Sequence, residues 1–146
     1  MILVLDDLIS LELKEYLLTQ DGINDVECND NSFLTEVKID YNELITPEII
    51  FKYIKLFQNK KYSILVEFDK GIKGKFNTLK YIVDDMCCEY CYKGFVEDLF
   101  ENENIKSIKS NFDFNKPAFN IEFIIEYNNN YSEKKLNTYI EDKLMS

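Results

Sequence analysis

NTLKYIVDDMCCEYCYKGFVEDLFENENI, residues 77–105, is the stretch whose reading decides the fold. As one long helix it fails. Leu79, Ile82, Val83, Met86 and Tyr90 share a helical face, but beyond Gly94 the residues Val96, Leu99 and Phe100 fall on another. A strand over 78–84, a loop, and a helix over 89–101 remove the conflict. Leu79, Tyr81 and Val83 then alternate with Lys80, Ile82 and Asp84, and Tyr92, Phe95, Val96, Leu99 and Phe100 make one apolar helix stripe. Cys87, Cys88 and Cys91, three of the four cysteines, land where the strand ends and the helix begins.

Downstream, 104–108 begins a strand, Asn115-Lys116-Pro117 turns it, and Phe119, Ile121, Phe123, Ile125 and Tyr127 return at period two. A helix follows from Ser132. Upstream, 1–5 reads as a strand and Asp6-Asp7 as the charged start of a helix over 8–19, stopped at Asp21-Gly22. Segments 23–28 and 33–41 read as a hairpin around Asn29-Asp30-Asn31-Ser32. Thr46-Pro47-Glu48 opens a helix with the stripe Ile49, Ile50, Tyr53, Ile54 and Phe57. Residues 62–68 form a dense apolar strand. The first half is therefore βαββαβ and the second βαββα.

The halves also repeat. At an offset of 86 residues, Glu36–Asn42 overlays Glu122–Asn128, Thr46 falls on Ser132, and Tyr53-Ile54 on Tyr139-Ile140. Leu17 and Ile23 overlay Leu99 and Ile105 at an offset of 82. The segment DKGIKGKF, 69–76, holds two of the four glycines and marks the expected boundary between a domain at 1–70 and one at 71–146. The opening ILVLDD is similar to the start of a response-regulator receiver, but a hairpin follows where a receiver needs parallel strands.

From Asn77 onward, the M-x-C-x-x-C run Met86-Cys87-Cys88-Glu89-Tyr90-Cys91 sits within a β–loop–α–β–β–α order. With Phe95 and Leu99 on the helix and Asn104-Ile105-Lys106-Ser107-Ile108 after it, the segment resembles the heavy-metal-associated domain of copper and mercury chaperones and heavy-metal P-type ATPases. The first half resembles it in Asp21–Val26 and Thr46-Pro47-Glu48, but has no cysteine between Asp6-Asp7 and the helix. The resemblance implies an α+β chain of two fused ferredoxin-like units, an antiparallel sheet with helices on one face. It assigns ligand roles to Cys88 and Cys91 and an inward, bracing role to Met86. Cys87 is either a third thiolate or exposed. A soft ion is implied, Cu(I) first, with Zn, Cd or Hg as others, and so is a non-enzymatic metal chaperone. Its partner would be a metal-transporting P-type ATPase or another metal-transfer protein with a basic docking surface. Because a ferredoxin-like unit orders its strands 4-1-3-2 and the second half lacks a fourth, 62–68 is expected to pair with both 78–84 and the opening strand, joining the halves in one sheet of seven strands.

Soft thiolates favour Cu(I), Zn and similar ions, and a helix N-terminus favours the anionic thiolate. An open site of two or three ligands permits transfer by ligand exchange. Two other readings stand beside this one. The cysteines are small buried hydrophobes, or Cys88 and Cys91 form a thiol–disulfide pair. An acidic inhibitor or interaction protein on a decayed metal fold is the alternative function. Cys28, alone on a strand, reads as structural. The pair Asp84-Asp85 ends a strand beside the cysteine loop, where it would tune the site or attract cations. The acidic run 97–103 reads as a solvated helix side that would also dock a basic partner. Tyr41, Tyr53, Tyr127 and Tyr139 read as packing.

Composition bounds these readings. The chain of 146 residues has no His and no Trp, and its 17 basic residues, all Lys, stand against 27 acidic ones. The net charge of −10 argues against nucleic acid or an anionic membrane as partner. Imidazole chemistry is excluded. No apolar run reaches the length of a membrane span, no signal-peptide pattern opens the chain, and clustered cysteines suit a reducing compartment. A cytoplasmic protein without membrane insertion is expected.

Overall fold

The computed structural model describes residues 1–6, 10–31, 34–60, 64–86, 89–111 and 119–145. Cys87, Cys88, Asp7, Ser32, Phe33, Tyr62 and the turn at Asn115-Lys116-Pro117 lie outside the described residues. The chain is α+β. Seven strands and four helices are described, and the strand pairings recorded for them are antiparallel. It divides into two compact units, Met1–Leu65 and Val66–Ser146.

In the first unit β1 (Ile2–Asp6), α1 (Ser10–Leu18), β2 (Ile23–Asn31), β3 (Leu34–Tyr41) and α2 (Pro47–Lys60) follow one another. β3 pairs with β2 on one side and β1 on the other. Leu3, Leu5, Val37 and Ile39 are buried at period two, while Leu13 and Leu17, one helical turn apart, bury α1. Asp6 ends β1, and Glu12 is the acid in the first turn of α1 as described; the expected helix start at Leu8 lies outside the described residues. Gly22 ends the α1 connection with φ +86°, and a Cβ there would lie 2.6 Å from the Ile45 side chain, so both conformation and space call for glycine. Thr46 caps α2, its Oγ1 accepting the Ile49 N–H at 3.4 Å. Ile50, Ile54 and Phe57 are buried as the stripe requires, and Phe51 joins them.

The strand β4 (Ile64–Asp69) begins at the end of the first unit and continues into the second. There β5 (Phe76–Asp85), α3 (Glu89–Glu101), β6 (Ile105–Ser110), β7 (Phe119–Asn128) and α4 (Glu133–Met145) complete the chain. The strand order within this unit is β4-β6-β7-β5. All five residues of the α3 stripe, Tyr92, Phe95, Val96, Leu99 and Phe100, are buried. Phe123 receives Tyr92 as a stacked neighbour at 5.8 Å and Phe95 edge-on at 5.1 Å.

One expected pairing is not formed. β4 does not turn back on β5; it pairs with β6, Phe68 facing Ile108 and Asp69 facing Ser107. The segment after β4 shows why. The Lys70 N–H bonds the Lys106 carbonyl at 2.9 Å, and the Lys70 ammonium is buried against the Asn102 carbonyl and over the Phe100 ring. Asp69 Oδ1 accepts the Gly71 N–H at 2.8 Å, and Gly71 and Gly74 both take positive φ. These contacts hold the chain beside β6 where the hairpin expected through Gly71-Ile72-Lys73-Gly74 would have reversed it. β5 instead pairs with β7 from Phe76 to Asp85. Thr78, Lys80, Ile82 and Asp84 face solvent on it, and charged residues guard an edge strand as well as a further strand would.

The repeat is carried into backbone detail. Ile23 faces Tyr41 and Ile105 faces Tyr127, and each hairpin shifts register immediately afterwards, at Ile23/Asp25 and Ile105/Ser107. Asn42 N–H bonds the Gly22 carbonyl and Asn128 N–H the Asn104 carbonyl. Both asparagine side chains accept the N–H two residues on, from Leu44 and Asn130. Ser132 caps α4 as Thr46 caps α2, accepting the Lys135 N–H at 3.1 Å.

Candidate functional site

The cysteine segment joins β5 to α3 and is fastened at both ends by buried side chains. Before it stands Met86, 6% exposed and turned inward. After it stands Tyr92, fully buried, whose hydroxyl donates to the Val66 carbonyl of β4 at 2.8 Å. Burial raises the Tyr92 hydroxyl pKa far above the usual tyrosine range, outweighing the opposing hydrogen bond with Ser110. Tyr92 therefore stays neutral and remains a donor. Between these anchors Cys91 lies in the first turn of α3 and is exposed. Cys91 is disulfide-bonded. Cys87 and Cys88, which the sequence places with it, lie outside the described residues.

Ladder registers reveal an alignment that the sequence reading missed. Leu3 faces Val37 as Tyr81 faces Phe123, and Leu5 faces Thr35 as Val83 faces Ile121. β1 and β5 are thus offset by 78 residues (81 less 3), which sets Leu5-Asp6-Asp7-Leu8 on Val83-Asp84-Asp85-Met86. The helices that follow are offset by 82, since buried Leu17 corresponds to buried Leu99. The second unit therefore has four more residues between the strand and the helix. At this offset Ser10 corresponds to Tyr92, and Cys91 to Ile9, which lies outside the described residues. The identical Leu/Val-Asp-Asp runs were the available signal, hidden because each segment of the repeat has its own offset.

Cys28 is apart from this segment. It is a free, half-buried thiol on β2, opposite Val37, and burial raises its pKa. Its surroundings suit packing and not nucleophilic chemistry. Among the described residues no three His, Cys, Asp or Glu side chains are placed to hold a metal ion.

The acidic run on α3 is less solvated than expected. Glu97 is mostly buried and bonded to Lys93 at 2.7 Å, one turn before it, while Glu101 and Glu103 are exposed. The repeated tyrosines do more than pack. Tyr53 hydroxyl donates to the Asp21 carbonyl and Tyr139 hydroxyl to the Asp98 carbonyl, each tying its second helix to the first helix of its unit or the turn after it. Burial, with Asp98 and Glu101 beside it, pushes the Tyr139 pKa up to about 12. No helix among the described residues is long and apolar enough to cross a membrane. No family model, curated protein or solved structure matches the chain.

Proposed function

We propose that the reduced protein binds a soft heavy-metal ion through the thiolates of Cys88 and Cys91, with Cys87 as the adjoining third donor. Cu(I) fits two such ligands, and Zn, Cd or Hg are its competitors. The observation that carries this reading is the greater length of the second unit between its first strand and its first helix. Four more residues separate Tyr81 from Leu99 than separate Leu3 from Leu17, and the added length falls, in sequence, where Cys87, Cys88 and Cys91 stand. Met86 and Tyr92 are buried on either side of the segment, and Cys91 lies in the first turn of α3, where the thiolate form is favoured. On this reading the two units are ferredoxin-like relatives of heavy-metal-associated domains, and the first has no site. The protein is a non-enzymatic, cytoplasmic carrier that passes its ion by ligand exchange to a metal-transporting ATPase or another transfer protein with a basic surface.

The disulfide at Cys91 favours a second reading, thiol–disulfide exchange at the same segment. It also fixes a condition of the first: the bond must be reduced before the sulfur can serve as a ligand. Titration of the reduced protein with Cu(I) and Cd(II) against a competing chelator separates the two. Near-stoichiometric binding is expected, lost in Cys88→Ser and in Cys91→Ser and retained in Cys28→Ser. Cys87→Ser should weaken Cd(II) more than Cu(I). Undiminished affinity in the Cys88→Ser/Cys91→Ser double variant overturns the assignment, and tight catalytic reduction of a disulfide substrate without metal binding would favour the redox reading.

A further inference from the structure

Among the described residues β7 is the ladder partner of β5 on one side, and no strand pairs with its other side. The strand is ten residues long, so it offers a row of main-chain donors and acceptors to an added strand. Its solvent face carries Lys80, Ile82 and Asp84 in alternation. Ile82 is 54% exposed, one of few large apolar side chains so placed. Lys80 reaches Glu122 on β7 at 3.3 Å but remains largely open to solvent.

This pattern is symmetric about Ile82. Two antiparallel copies of β5 related by a two-fold axis at Ile82 would place Lys80 of each opposite Asp84 of the other. The two Ile82 side chains would meet between these pairs. On the inward face Tyr81 would meet Val83. Charges that deter an indiscriminate partner are here complementary to themselves, which a foreign strand would match only by chance. We propose that a second copy of this chain is the occupant of the β5 edge, in this antiparallel register. The interface is isologous, as two-fold dimers require, and it makes no use of the cysteine thiols.

Sedimentation equilibrium of the full chain, reduced and with chelator present, tests this across a concentration series. A monomer–dimer equilibrium is expected. Lys80→Asp and Asp84→Lys each set like charges opposite one another twice and should weaken association about tenfold or more. The double variant Lys80→Asp/Asp84→Lys restores both opposed pairs and should recover the dimer, which also shows that the single variants fold. Ile82→Lys should abolish association with an unchanged circular dichroism spectrum. A chain that stays monomeric throughout, leaving the edge to another protein's strand, overturns the proposal. So does a dimer indifferent to the single reversals, or one that the double reversal fails to restore.

Discussion

The two units show how one strand order supports two different junctions. Both run strand, helix, hairpin, helix, and both place the first strand beside the third. Both hairpins shift register at equivalent positions, and both second helices are capped by a hydroxyl that follows an asparagine turn. They part company between the first strand and the first helix. In the first unit the described part of α1 opens with Ser10, whose hydroxyl donates to Asp30. In the second, Tyr92 occupies the place of Ser10, with four more residues between it and the strand. A small polar residue near the surface is thereby replaced by a buried aromatic that bonds β4. Two further features accompany the added length: the anchor at Tyr92 and, in sequence, the cysteines before it. Residues that the fold needs recur in both units, and residues that recur in neither the first helix nor its approach are free to carry chemistry.

The largest effect should come from the shared core. Leu17 and Leu99 are equivalent and both fully buried, so Leu17→Ala and Leu99→Ala should each cost about 2–5 kcal/mol in chemical denaturation. If Leu17→Ala proved nearly neutral, the correspondence of α1 with α3 would break. A smaller and one-sided loss is expected at the anchor. Tyr92→Phe keeps the ring stacked on Phe123 but removes the donor to the Val66 carbonyl, at a cost of about 1–2 kcal/mol. Hydrogen exchange should show the accompanying loosening at the start of α3 and in β4, and Cu(I) affinity should fall with it. Unchanged exchange in both places would show that the tyrosine does not brace the cysteine turn. Smallest is the difference between the caps. Ser132→Ala should cost about 1 kcal/mol, and Thr46→Ala less, because its bond is longer, 3.4 Å against 3.1 Å. Thermal melts of both variants rank them; the reverse order would break the parallel between the two caps.

Local patterns explain what was legible before any coordinates. Leu79, Tyr81 and Val83 at period two, followed by a stripe beginning at Tyr92, placed β5 and α3, and α3 runs from Glu89 to Glu101 as the stripe requires. Thr46-Pro47-Glu48 placed the start of α2. The charge of Asp6 misled to the extent that Asp6 belongs to β1: a carboxylate that closes a strand resembles one that opens a helix. Glu97 misled in the same way: an acid on a helix reads as solvated unless the lysine one turn before it is known to fold over it.

Sequence alone determined the element order, the apolar faces, the caps and the grouping of cysteines at a strand–helix junction. Each of these depends on residues within a few positions of one another, where periodicity and turn chemistry act directly. Tertiary structure decided the partner of β4 and the equivalence of the two Asp-Asp junctions. A strand presents the same donors and acceptors to any neighbour, so its own residues do not select one. Lys70, buried between the Asn102 carbonyl and the Phe100 ring, makes the choice of β6 through contacts with α3 and the turn after it, some thirty residues further along the chain. The junctions likewise became comparable only when β3 and β7 supplied a common register for β1 and β5.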